Sequence, residues 1–152
     1  MLGFGKAPRT SDIQIGLDVS PDKQAFTLAF DGLEVAIPVG KSLPMATRAF
    51  YLALPLEDSG KGVELTFSVQ GYVTTEEGAT ATMVFSVNGQ TTVADFPGTA
   101  DKDFLQQLKF AADKPSECRL CVFLLVGGNS EAYLNVTAID AEIQSPKKKK
   151  KK

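Results

Sequence analysis

Val63-Glu64-Leu65-Thr66-Phe67-Ser68-Val69-Gln70 alternates apolar and polar side chains at every step. Successive side chains of an extended strand point to opposite faces, so this run predicts an amphipathic strand with Val63, Leu65, Phe67 and Val69 in a core. The same alternation recurs on both sides of it. Ile13, Ile15, Leu17 and Val19 form a first run that stops at Ser20-Pro21-Asp22, and Phe26, Leu28 and Phe30 form a second. Leu33, Val35 and Ile37 follow across Asp31-Gly32, and Phe50, Leu52 and Leu54 point inward along a strand from Thr47 to Leu54. Val39 to Ala46 reads as a longer connection, and Pro55 to Gly62 as a polar loop.

Beyond the central run, Ala79 to Val87 alternates again and reaches Asn88-Gly89. Asp-Gly and Asn-Gly between alternating runs are strong hairpin signals, because these residues tolerate the positive φ that a type I′ turn needs at both central positions. Both sites are therefore expected to be tight hairpins. Phe96-Pro97-Gly98-Thr99-Ala100 breaks the ladder. Asp103 to Ala111 suits either a strand with Phe104, Leu108 and Phe110 on one face or two helical turns, and strand is the reading preferred. Glu117 to Val126 is apolar at nearly every position, as expected of a strand buried between two layers. Ala132 to Ile143 is the last strand.

Eight to ten short strands with turns every eight to twelve residues and no convincing helix predict an all-β fold. The expected architecture is an antiparallel two-sheet β-sandwich of jelly-roll type. At 152 residues one domain is expected, over residues 13–144, with an N-terminal arm at 1–12 and a disordered basic tail at 145–152. The balance of 43% hydrophobic and 22% charged residues is that of a globular chain. No apolar run is long enough to span a bilayer as a helix, and Met1 to Lys6 does not open a signal peptide.

Composition also excludes chemistry. The chain has no histidine, which removes Ser-His-Asp, Cys-His and His-metal sites. It has no tryptophan, so any stacking platform for a sugar falls to Tyr51, Tyr72 and Tyr133. No residue is nominated as catalytic and no enzymatic activity is expected. Cys118 and Cys121 form a Cys-x-x-Cys, but three residues apart on a strand they point to opposite faces about 10 Å apart, too far for a disulfide. They are read as packing thiols, with a local or intermolecular disulfide as the alternative.

Three candidate sites remain. Asp95, Asp101 and Asp103 bracket a Gly-containing loop, with Glu76 and Glu77 on another, and oxygen ligands of this kind would suit Ca²⁺, although their spacing matches no EF-hand. No other cofactor is expected. Lys147, Lys148, Lys149, Lys150, Lys151 and Lys152 form a polyanion-binding candidate, or else an appended tag. Without these six, basic residues fall from 16 to 10 against 18 acids, giving a body of charge −8 that disfavours nucleic acid. Gly71-Tyr72 and Tyr133 could line a binding surface or simply pack. Asn135-Val136-Thr137 satisfies the glycosylation sequon but falls within a strand.

Ser20-Pro21-Asp22, Ala25-Phe26-Thr27, Phe30-Asp31, Phe67-Ser68-Val69, Gly71-Tyr72, Asn88-Gly89-Gln90 and Leu134-Asn135-Val136, taken in order, resemble a family of uncharacterised, mostly secreted bacterial and fungal β-sandwich proteins. The resemblance implies a secreted, non-enzymatic sandwich, though that family is richer in cysteine and carries a leader. The expected function is a non-catalytic structural or assembly subunit of an extracellular layer, appendage or virion. Self-association or a protein partner through strand edges and a Thr-rich face (Thr66, Thr80, Thr82, Thr91 and Thr92) would carry it. The alternatives are a carbohydrate-binding module, with or without calcium, and a polyanion anchor working through the lysines.

Overall fold

The computed structural model describes residues 13–22, 24–37, 45–55, 63–112 and 117–144. The proposed arm at 1–12 and tail at 145–152 lie outside the described residues, as do most of the two long connections. Ten strands follow in order: β1 (Gln14–Val19), β2 (Ala25–Asp31), β3 (Glu34–Ile37), β4 (Met45–Pro55), β5 (Val63–Thr75), β6 (Ala79–Val87), β7 (Gln90–Pro97), β8 (Ala100–Ala112), β9 (Glu117–Gly128) and β10 (Ala132–Gln144). They make two antiparallel sheets. One runs β1-β2-β10-β5-β8, with β3 also on β10, and the other runs β4-β9-β6-β7. The expected jelly-roll-like sandwich is what forms.

The core lies between the sheets and is supplied by the alternation. Leu65, Phe67 and Val69 of β5 face Met83 and Phe85 of β6, all fully buried. The Phe67 and Phe85 rings meet across the layer at 5.7 Å, and Phe30 of β2 packs edge-on against Phe50 of β4 at 5.0 Å. β5 lies between β10 and β8, the central position its clean alternation predicts. The ambiguous 103–111 segment belongs to a thirteen-residue strand, β8, with Phe104, Leu108 and Phe110 turned toward the core. Its pairing with the whole of β5 overrides the weak helical propensity.

Three expectations need correction. Asp31-Gly32 is not a hairpin: β2 and β3 do not pair with each other, and both run antiparallel to β10 along the same edge. Gly32 has φ 100° and Asp31 is not in the left-handed region, so the site is an in-line kink and not a two-residue turn. Opposite it, β10 carries its own irregularity between Val136 and Ala138. Asn88-Gly89, by contrast, is a true hairpin turn, with φ 49° and 89° and Val87 opposite Gln90.

The second correction concerns β9. It is an interior strand of its sheet, but Cys118, Leu120, Val122, Leu124 and Val126 face the core while Arg119, Cys121, Phe123 and Leu125 face outward. Among the described residues, only one of its two apolar faces is covered by another layer. The third concerns the threonines, which do not form one face. Thr80, Thr82 and Thr91 share the outer face of the four-stranded sheet, Thr66 sits on the other sheet, and Thr92 turns inward to accept a hydrogen bond from Gln106 Nε2 at 2.7 Å. Among the described residues, no helix is long and apolar enough to cross a membrane.

Candidate functional site

The two outer faces of the sandwich differ in chemistry. On the six-stranded sheet, β5 presents Thr66, Ser68, Gln70, Tyr72 and Thr74, and β10 presents Tyr133, Asn135, Asp140 and Glu142. Register places Glu34, Asn135, Tyr72 and Asp103 side by side across β3, β10, β5 and β8. The alternation that buries Val73 and Leu134 necessarily turns Tyr72 and Tyr133 to the outside.

Those two rings are the aromatic centre of the face, with centroids 6.5 Å apart and planes inclined by 50°. Each phenol is tied to a carboxylate. The Tyr133 hydroxyl donates to Glu34 Oε1 at 2.8 Å, and the Tyr72 hydroxyl donates to Asp101 Oδ1. Asn135 joins the pair: its Nδ2 donates to the Tyr133 hydroxyl oxygen at 3.1 Å, and its Oδ1 accepts from the Tyr72 backbone N–H at 2.9 Å. That amide is therefore engaged in the sheet, as the polar-face reading of the sequon expects. The hydrogen bond to Asp101, helped by desolvation and the negative charges of Asp101 and Asp103, raises the Tyr72 pKa. Desolvation, then the bond to Glu34, raises that of Tyr133. Both phenols stay protonated donors at neutral pH.

Further along the face, Asp140 accepts from Thr27 Oγ1 and from Gln70 Nε2, each at 2.7 Å, so both its oxygens are oriented. Gln107 Nε2 donates to Ser68 Oγ at 3.2 Å. Thr137, the extra residue of the β10 irregularity, donates to the Gln70 carbonyl at 3.2 Å. The result is a tethered row of phenol, amide and carboxylate groups on a rigid scaffold. Fixed polar groups beside an aromatic surface suit a ligand that has both hydroxyls and apolar C–H faces.

The acids nominated for calcium are dispersed. Asp101 and Asp103 lie two apart on β8, on this face, and the first is bound to Tyr72. Asp95 lies on β7 in the other sheet, where Thr82 Oγ1 donates to it at 2.8 Å. Glu76 and Glu77 sit in the β5–β6 turn. Among the described residues, no three acidic or thiol side chains gather where a metal ion could be held. Lys147 to Lys152 lie outside the described residues.

The Cys-x-x-Cys divides as strand geometry requires, with Cys118 buried in the core, Cys121 half-buried on the outside, and both thiols free. Burial, with a smaller contribution from Glu117, pushes the Cys118 thiol up to about 11. In dilute protein at pH 8, a thiol reagent is expected to titrate Cys121 quickly and Cys118 only on unfolding. Rapid release of two equivalents from the folded protein would contradict the assignment.

No protein-family model matches the chain, and no curated protein matches it. Among solved structures it is similar to part of dimeric latent PorU from Porphyromonas gingivalis, with 17% identity and a TM-score of 0.45 over 65% of this chain. The chain spans 10% of the length of PorU. It is also similar to the module TmCBM61 in complex with beta-1,4-galactotriose, with 12% identity, a TM-score of 0.42 and 90% of each chain covered. A third is the carbohydrate-binding module CBM36 in complex with calcium and xylotriose, with 15% identity, a TM-score of 0.35, and 88% of this chain and 94% of that one covered. The matches fall on a diverse set of β-sandwich proteins and not on a single family.

Proposed function

We propose that this chain is a non-catalytic binding module for a neutral glycan, held on the outer face of the six-stranded sheet around Tyr72 and Tyr133. The observation that carries the reading is the tyrosine pair. Two half-buried rings on neighbouring strands have their phenols, and the Asn135 amide between them, fixed by hydrogen bonds, so binding orders little that is not ordered already. Sugar C–H faces pack on the rings, while Asp101, Glu34 and Asp140 accept from sugar hydroxyls. The acids of the same face, Asp103 and Glu142 included, repel uronates and sulfated sugars, which restricts the ligand to uncharged polysaccharide. An extracellular setting follows from such a ligand. This face supports binding better than it supports a purely structural subunit of a layer, appendage or virion.

A glycan array read with neutral and acidic polysaccharides tests the proposal. Wild-type protein is expected to retain neutral glycans, with the same affinity in chelator and with little loss at high salt; capture through the lysines would instead fall steeply with salt. Tyr133→Ala and Tyr72→Ala should each weaken binding about 10- to 100-fold, the equivalent of losing one aromatic contact of about 1.5–3 kcal/mol. An array blank for neutral glycans would sink the reading.

A further inference from the structure

The opposite side of the sandwich is unlike the glycan face. Ala49, Phe123, Val84 and Val93 lie side by side in register across β4, β9, β6 and β7, forming an apolar row that crosses the whole four-stranded sheet on its outside. Tyr51, Leu125 and Met45 extend it. Phe123 is 37% exposed, Val93 49%, Met45 57% and Tyr51 62%. Isolated exposed apolar residues are ordinary, but a contiguous patch spanning every strand of a sheet marks an interaction surface.

We propose that this face docks a second copy of the chain, sheet against sheet, with the two glycan faces left outward on opposite sides. Charge favours a copy. The described outward positions of the four-stranded sheet carry few charged groups: Arg119 is paired with Glu117 at 2.7 Å, and Asp95 is bonded to Thr82. The other sheet's outer face carries Glu34, Asp101, Asp103, Asp140 and Glu142 against Lys109, a net negative charge, so two acidic bodies approach more readily through the first face than through the second.

Shape agrees. A two-fold axis along the strands, between β9 and β6, lays Phe123 over Val84 of the partner subunit and Ala49 over Val93 of the partner subunit, large residue against smaller in each case. The contact is isologous and closes at two copies. Size agrees as well. Four strands about 4.8 Å apart, averaging about five outward positions about 6.7 Å apart, give a footprint of about 600 Å² per copy. The total of about 1,200 Å² is at the threshold of a specific interface.

Sedimentation equilibrium of the full chain from about 1 µM to 1 mM tests this. The expected result is a mass rising to twice 16.2 kDa, with Cys121 labelling slowing as the dimer forms. Phe123→Lys should restore the single-chain mass, and Val93→Lys does the same should the first variant fail to fold. Leu105→Lys, on the other sheet, should leave the dimer intact. Neither interface variant should change glycan affinity. A mass of one copy across the whole range, a dimer indifferent to both variants, or an assembly larger than two copies would overturn the proposal. So would a monomer whose glycan binding is lost with Phe123→Lys, because the face would then be a ligand site. A blank glycan array leaves this inference standing, since the two faces are tested by different variants.

Discussion

Phe67→Ala should lower the stability of this protein by about 3–5 kcal/mol. The Phe67 side chain is fully buried within β5, and its ring touches both layers: edge-on to Phe26 at 6.3 Å within its own sheet, and tilted against Phe85 of the facing sheet at 5.7 Å. Truncation loses the transfer free energy of the ring and leaves a cavity between two hydrogen-bonded sheets, which cannot collapse around it without breaking strand register. For a domain of this size the total is about 5–15 kcal/mol, so the variant would be folded but close to its limit. The thermal midpoint should drop by about 10–15 °C, and the urea midpoint should fall without a change in slope. A loss below about 1 kcal/mol would mean that the layers are not joined at Phe67.

Phe67 belongs to the part of the fold that is legible in sequence, because a period of two states directly which side chains are buried. What alternation does not state is which strands are partners. Across Asp31-Gly32 the inward set passes from Phe26, Leu28 and Phe30 to Leu33, Val35 and Ile37, and that slip of one residue is common to a tight hairpin and to an in-line kink. The choice between them was made by β10. It is long enough to pair with β2 along Ala138–Glu142 and with β3 along Ala132–Asn135, so both strands add to one edge. At Asn88-Gly89 no such partner competes, and local turn chemistry decides.

The candidate site divides along the same line. Tyr72 and Tyr133 are visible as strand aromatics, but they are 61 positions apart and meet only because β5 pairs with β10 in the register that sets Tyr72 opposite Asn135. Asp95 is close in sequence to Asp101 and Asp103 but separate from them in space, because the chain between Phe96 and Ala100 passes from one sheet to the other. Nearness along a chain predicts nearness in space within a hairpin and fails at a crossover. Likewise the second apolar face of Glu117 to Val126 was visible as composition, but whether another layer covers it is a property of the whole assembly.

Gly71→Ala ties fold to site and should cost about 3–5 kcal/mol together with most of the glycan affinity. Gly71 faces the core beside Tyr72, opposite the β10 irregularity at Val136. A Cβ there would stand 2.0 Å from the Asn135 carbonyl oxygen and 2.7 and 2.9 Å from carbons of the Phe104 ring. The ring can turn aside, but the carbonyl belongs to the β10 backbone and moves only if β10 moves. Overpacking alone costs about 1–3 kcal/mol. Each ladder hydrogen bond given up between β5 and β10 adds about 1 kcal/mol. The strand that must yield carries Tyr133 and Asn135, so the 2.9 Å bond from the Tyr72 N–H and the spacing of the two rings go with it. Gly16→Ala supplies the control, because a Cβ on Gly16 meets nothing within 4 Å, and neither stability nor binding should fall. Chemical denaturation and glycan titration of the two variants decide the matter: a Gly71→Ala protein as stable as the Gly16→Ala protein, and binding as tightly, would show that the close approach of β5 to β10 is not what holds the tyrosines together.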